Sequence, residues 1–259
     1  VLGQMHGSEP GGRDVVAELS TRKVPQGVGL WLLVTMNPDG DAQGTRANAH
    51  GVDLNRNFVD HAKPYPANPG YDVLRSFICP KEWNAGSDTR TREVFADYAA
   101  QHGEPALTDA IAAGQYVDPQ GVFYGGTGPV WSNRTIHAIL APFAATVKLA
   151  AFVDLHTGLG PYGFGEIMSN HGAKEPGHFL MKDWWGSEAT YFDDGTSSSY
   201  LVLGDINIGV CQALSQAKVA GITLEYGTIP KEDMIRSVRA DNWLYVHGDL
   251  ASPQGREIK

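Results

Sequence analysis

Four short stretches of the chain hold residue types that can do chemistry. His6-Gly7-Ser8-Glu9 sets an imidazole and a carboxylate three residues apart, at the end of a short apolar segment and just before an amphipathic one. Both groups are good zinc ligands, and a turn of this length can aim them at one ion. The same spacing also suits a plain helix start, with Glu9 favouring the positive helix end. In Asp154-Leu155-His156-Thr157-Gly158 an apolar run delivers His156 at its carboxyl end. A core histidine bonded to a backbone carbonyl is the alternative there. Gly51-Val52-Asp53-Leu54-Asn55-Arg56-Asn57-Phe58, preceded by Asn37-Pro38-Asp39-Gly40 and Arg46, offers two arginines and an asparagine as a bidentate clamp for a carboxylate. A loop whose Asx residues bond their own backbone would read the same way. Glu225 ends the apolar run Ile222-Thr223-Leu224, where a carboxylate is costly unless it has a partner or a function.

The elements that must position these groups alternate. Apolar runs rich in β-branched residues span Val28 to Thr35, Ala150 to Val153 and Ile222 to Leu224, and each stops at polar residues. They read as buried strands with functional groups at their ends. Helical patterns cover Gly12 to Arg22, Arg92 to Gln101, Ala106 to Ala113, Thr135 to Val147, Ile206 to Lys218 and Lys231 to His247. The expected fold is α/β: a mixed, mostly parallel twisted sheet with helices on both faces, and ligands at the carboxyl ends of the strands. We expect one domain over residues 1–259. Within it, the Pro-, Gly- and aromatic-rich segment from Val59 to Asn133 is an insertion that walls a cleft and contains two helices. Tyr116, Tyr124 and Trp131 either narrow that cleft or brace its wall, and Asp193-Asp194 reads as solvated surface.

Composition closes several routes. Twenty Lys+Arg against 29 Asp+Glu give a net charge of −9, which argues against a nucleic-acid partner. No apolar stretch approaches the roughly 20 residues needed to span a bilayer. The two cysteines, Cys79 and Cys211, fit no C-x-x-C pattern and are expected as buried free thiols. Val1-Leu2 reads as the end of a strand, so both termini look truncated. No leader pattern is present, and the expected location is cytoplasmic.

Taken in order, H-x-x-E, N-P-D-G, G-V-D-x-N-R-N, D-L-H and a strand-end Glu resemble the zinc carboxypeptidase superfamily, whose carboxypeptidase A has a two-His, one-Glu zinc site with an open fourth position. The resemblance implies one zinc per chain, held by His6, Glu9 and His156, with Glu225 as the general base. It implies further that Asn55 and Arg56 grip a terminal carboxylate, Arg46 stabilises the oxyanion, Asp53 orients His6, and Tyr200 is a candidate mobile tyrosine, with Tyr191 the other tyrosine in that region. The late loops, Ser197 to Gly204 and Ile206 to Ile208, would set side-chain preference.

Residues 1–58 look most like bacterial murein-peptide amidases of this superfamily. Residues 59–259 look like a second bacterial branch, described only as a domain of unknown function, through Gly114-Gln115-Tyr116, Phe123-Tyr124-Gly125-Gly126, Trp131-Ser132 and Arg239-Ala240-Asp241-Asn242-Trp243. A natural mosaic or an engineered chimera with its seam in D-L-N-R-N-F would explain this. The implied activity is zinc-dependent hydrolysis of an amide or peptide bond beside a free carboxylate, on a small peptide. A deacylase of the aspartoacylase and succinylglutamate desuccinylase type, acting on N-acyl amino acids, is the enzymatic alternative. A non-catalytic fragment or binding module is the other.

Overall fold

The computed structural model describes residues 1–169, 171–172, 174–191, 194–198, 200 and 202–259; Asp193 therefore lies outside the described residues. In chain order the helices are α1 (Gly11–Ser20), α2 (Pro38–Gln43), α3 (Pro69–Ile78), α4 (Ala85–His102), α5 (Glu104–Ala112), α6 (Trp131–Leu140), α7 (Pro176–Trp185), α8 (Ile206–Ala213), α9 (Lys231–His247) and α10 (Pro253–Ile258). The strands are β1 (Leu149–Gly158), β2 (Gly165–Ser169), β3 (Ala189–Thr190) and β4 (Lys218–Gly227), ordered β1-β4-β2-β3. β1 and β4 are parallel over ten residues, β2 runs antiparallel to β4, and β3 is parallel to β2. The chain is a mixed α/β fold.

Strand side chains alternate between faces, and both faces are covered. Ala150, Phe152 and Val219 point into one cluster with Leu54, Phe58, Ile136 of α6, and Ile206 and Val210 of α8. Val153, Ala220 and Ile222 point the other way, against Met181 of α7. Each large side chain buried in these clusters contributes about 1.5–3 kcal/mol. A third cluster joins α3 and α5 through Tyr71, Leu74, Ile78, Leu107 and Ile111, with Phe123 at its margin.

Several elements differ from the sequence expectation. Val28 to Thr35 is not a buried strand: Val28, Leu30 and Val34 are 57%, 40% and 53% exposed, and only Leu33 forms a bridge, to Leu2. A strand needs a ladder, and these residues form only the single bridge to Leu2. Residues 1–3 themselves form only bridges, from Leu2 to Leu33 and Asp154. The segment from Val59 to Asn133 holds three whole helices, α3 to α5, and the start of α6. Helix α6 stops at Leu140 because Pro142 cannot donate to the ladder, and α8 stops at Ala213, leaving Lys218 to open β4. Strand β2 escaped detection because Glu166 occupies an inward position; its carboxylate is satisfied there by the hydroxyls of Thr190, Ser197 and Ser198. Both cysteines are free but half-buried rather than buried.

Close backbone packing positions the first turn. Gly7 lies against Gly40, so a Cβ at Gly7 would sit 1.9 Å from the Gly40 carbonyl carbon. Gln4, fully buried, holds the same turn by donating to the Gly7 carbonyl and to Asp41. Gly7→Ala is therefore expected to lower stability by about 3 kcal/mol or more, because backbone meets backbone and neither side can yield. Thermal unfolding checks this, and a melting temperature within about 2 °C of the parent would contradict it.

Candidate functional site

His6 and Glu9 lie on the turn between Leu2 and α1, tied by a Glu9 N–H to His6 carbonyl bond of 3.1 Å. His156 lies in β1, and its register partner in β4 is Glu225. Because alternate strand residues share a face, Asp154, His156 and Glu225 all project on the face that carries α6 and α8. The fold thus brings together groups separated by as many as 219 positions in sequence.

Glu9 is the hub. Its Oε1 is 2.8 Å from His6 Nδ1 and 3.2 Å from Arg46 Nη1; its Oε2 is 3.0 Å from His156 Nδ1 and 3.3 Å from the Thr157 N–H. The outer ring nitrogens are also taken: His6 Nε2 is 3.2 Å from Asp53 Oδ1, and His156 Nε2 is 2.8 Å from Asp154 Oδ2. Neither the helix-start reading of Glu9 nor the core-histidine reading of His156 describes these contacts. Helix α1 is capped at Pro10 without a side-chain bond, and His156 lies between two carboxylates. Ligand atoms of His6, Glu9 and His156 all lie within 4.8 Å of one another. Two inward Nδ1 atoms and one carboxylate, with the outer nitrogens oriented by buried carboxylates, are a donor set that fits a zinc-like cation.

The electrostatics follow from burial and pairing. Burial alone would raise the Glu9 carboxyl, but the two facing imidazoles hold it well below the usual carboxylate range. Burial likewise opposes charge on His156, yet Asp154 and Glu9 raise it well above an ordinary histidine. Asp53, despite burial, is held well below its usual range by Arg46, Arg56 and His6. Glu225 has no such rescue. Burial pushes it up to about 7, assisted by the charge on Glu9 and opposed by His156, Arg46 and the Leu159 N–H, which donates to Oε1 at 3.0 Å.

The remaining candidates line the same cleft of about 690 Å³, with Arg46, Asn55, Arg56 and Tyr200 on its walls. Arg46 donates through Nε to Asp53 Oδ2 at 2.9 Å and through Nη1 to Glu9. Arg56 is 1% exposed; it gives Nε and Nη2 to the Ala112 carbonyl and Nη1 to the Asn55 carbonyl, and its Nη2 lies 3.4 Å from the Tyr200 hydroxyl. These contacts use four of its five N–H donors. The Asn55 carboxamide oxygen accepts from the Ile206 N–H, and the Asn57 carboxamide donates to the carbonyls of Gly125 and Gly128. The N-R-N-F motif therefore fastens three remote segments around the cleft. Asn37 caps α2 and donates to the Arg46 carbonyl, so the N-P-D-G stretch acts through Arg46. Tyr191, by contrast, is buried beside Met181 and does not line the cleft.

Sequence reasoning assigned no role to three residues at the site, of which Asp205 and Phe123 line the cleft and Asp154 is buried behind His156. Asp154 was legible, since positions two apart on a strand share a face with His156. Asp205 caps α8 through the N–H groups of Asn207 and Ile208, lines the cleft, and is pushed up to about 6 by burial. Phe123 stood out only as part of the Phe123-Tyr124-Gly125-Gly126 motif, with no sign of its place beside the arginines. It is the only non-glycine with positive φ (55°) among the described residues, and the guanidiniums of Arg46 and Arg56 lie 5.0 and 5.1 Å from its ring centre.

The curated relatives are carboxypeptidases. Carboxypeptidase SOL1 of Arabidopsis thaliana is 33% identical over 76 residues, covering 25% of this chain and 16% of the relative. The catalytic chain of carboxypeptidase N from Rattus norvegicus is 32% identical over 120 residues, 36% of this chain and 26% of the relative; the Homo sapiens protein gives the same figures. The chain thus spans about a quarter or less of the length of the curated relatives it matches. No solved structure matches. No helix among the described residues is long and apolar enough to cross a membrane. The family match covers residues 13–259 and runs without a break through residues 58 and 59, so the chain belongs to the family described as "Protein of unknown function (DUF2817)".

Proposed function

We propose that this chain is a zinc-dependent hydrolase of the carboxypeptidase type, cleaving an amide bond next to a free carboxylate. The observation that carries the reading is the convergence of His6 Nδ1, His156 Nδ1 and the Glu9 carboxylate, with Glu225 held near pKa 7 on the adjoining strand. The partial similarity to carboxypeptidases supports it.

His6, Glu9 and His156 would hold the zinc, which would supply Lewis acidity toward water and the scissile carbonyl. The protein's own groups do the rest. Asp53 and Asp154 hold the two imidazoles by their Nε2 atoms and keep Nδ1 turned inward. Glu225 accepts a proton from the attacking water and returns it to the leaving nitrogen, a task suited to a carboxylate near pKa 7. Arg46, whose Nη1 lies against Glu9, faces the oxyanion as the carbonyl becomes tetrahedral. Asn55 and Arg56 meet the substrate's free carboxylate with the donor left on the guanidinium, and Tyr200 borders that subsite. The turn that carries Phe123, between α5 and α6, borders the cleft.

The test is the metal content of purified protein beside a His6→Ala control, followed by hydrolysis of peptides and of N-acyl amino acids. About one zinc per chain, lost in the control, is expected, with turnover of peptides. No zinc after reconstitution would reject the metal reading, and turnover of N-acyl amino acids alone would transfer the site to a deacylase.

A further inference from the structure

We propose that Phe123 is a positioning residue for the substrate's carboxylate, with its ring serving as the shared seat of both arginines of the clamp; this rests on the reading of Arg46 and Arg56 given above. A phenylalanine with φ of 55° occupies backbone space that favours glycine, so the surrounding structure must hold it there. The restraints are on both sides. The Gln115 N–H donates to the Phe123 carbonyl at 3.1 Å, and the Asp53 N–H donates to the Tyr124 carbonyl at 2.8 Å. The Tyr116 hydroxyl donates to the Arg56 carbonyl at 2.7 Å. The loop is therefore tied to Asp53 and Arg56, which belong to the site itself.

The result is a ring that is 6% exposed, lines the cleft, and has a guanidinium about 5 Å from its centre for each of the two arginines. Two like charges in one pocket repel each other; Asp53 and Glu9 already offset part of that charge at Arg46, and a further carboxylate would cancel what is left for the substrate. An aromatic face attracts each cation without neutralising it. Phe123 thus helps to keep both guanidiniums in place without adding a further anion to Asp53 and Glu9, which already pair with Arg46. An aliphatic side chain of similar volume would fill the space and lose that attraction.

The experiment compares Phe123→Leu, Phe123→Tyr and Arg56→Lys. Calorimetry measures binding of N-acetyl-Ala-Leu and N-acetyl-Ala-Lys, each as free acid and as C-terminal amide, to the zinc-loaded Glu225→Gln protein and to metal-free protein. Expected is a loss of roughly tenfold in affinity for the acids in Phe123→Leu, with the amides nearly unchanged, zinc stoichiometry unaltered and Phe123→Tyr restored to the parent. Equal weakening of acid and amide, or no weakening, would overturn the proposal and reduce Phe123 to packing. Should Phe123→Leu fail to fold, the proposal is judged on Phe123→Tyr, which must retain the acid preference. Arg56→Lys separates the two levels. If it fails to weaken acids selectively, the clamp falls and Phe123 with it; if it does so while Phe123→Leu does not, only the Phe123 assignment falls.

Discussion

Glu225→Gln will lower kcat by about 10³–10⁴-fold while leaving about one zinc per chain, because the proposed mechanism loses its general base and keeps all three proposed ligands. The glutamine preserves shape and can still accept from the Leu159 N–H that holds Glu225 Oε1. Single-turnover kinetics with metal analysis on the same sample checks both halves. Turnover within tenfold of the parent would take Glu225 out of the mechanism, and loss of zinc would make it a ligand.

The same substitution has an opposite effect on stability. In the folded chain the Glu225 carboxyl is raised to about 7, above its value in the unfolded chain, so its neutral form is the one folding favours. Its contribution is complete below about pH 4.5 and is lost as pH rises through about 7. At about 1.4 kcal/mol per tenfold, ionising it in the metal-free fold costs on the order of 3 kcal/mol by pH 8. Metal-free Glu225→Gln should therefore melt roughly 5 °C or more above the parent at pH 8, with the gap closing near pH 4. In the active protein kcat/KM should rise with pH through an acid limb at or below 7, since a bound cation draws the carboxyl down. A profile flat from pH 5 to 9 would remove Glu225 as the titrating base.

Arg56→Lys will raise KM by about 10–100-fold for substrates with a free carboxylate and much less for their amides, the loss expected when one charge-assisted hydrogen bond from a fixed, planar donor is removed. Lysine keeps the charge and most of the buried stem, so the variant separates planar geometry from net charge. It also leaves the Ala112 carbonyl without its two guanidinium donors, at a cost of about 1–3 kcal/mol in stability. Initial rates on paired acid and amide peptides decide the matter. An equal rise in KM for both would show that Arg56 braces the cleft wall and does not grip the carboxylate.

What the residues announced, and what they hid, divides along one physical line. Chemistry with a local spacing was legible: the turn that joins His6 to Glu9, the strand that presents Asp154 and His156 on one face, and a carboxylate at Glu225 where an apolar run should have none. Helix α9 matched its sequence pattern from Lys231 to His247 because it starts after Pro230, holds no Gly or Pro to break it, and ends at Gly248. The run from Val28 to Thr35 had the right composition for a strand and did not become one, since strand formation depends on a neighbour that composition does not report. Strand β2 was hidden by its inward Glu166, acceptable only because hydroxyls distant in sequence arrive to satisfy it.

The sequence by itself determined the donor types and their order, and with them the class of chemistry proposed above, because donor spacing and charge are local properties. Tertiary structure alone decided that Glu9 is shared by two imidazoles and an arginine, that Glu225 is buried enough to sit near pKa 7, and that a strained Phe123 lies beneath both guanidiniums. Burial, pairing and strain are relations between segments far apart in the chain, and no spacing along it encodes them.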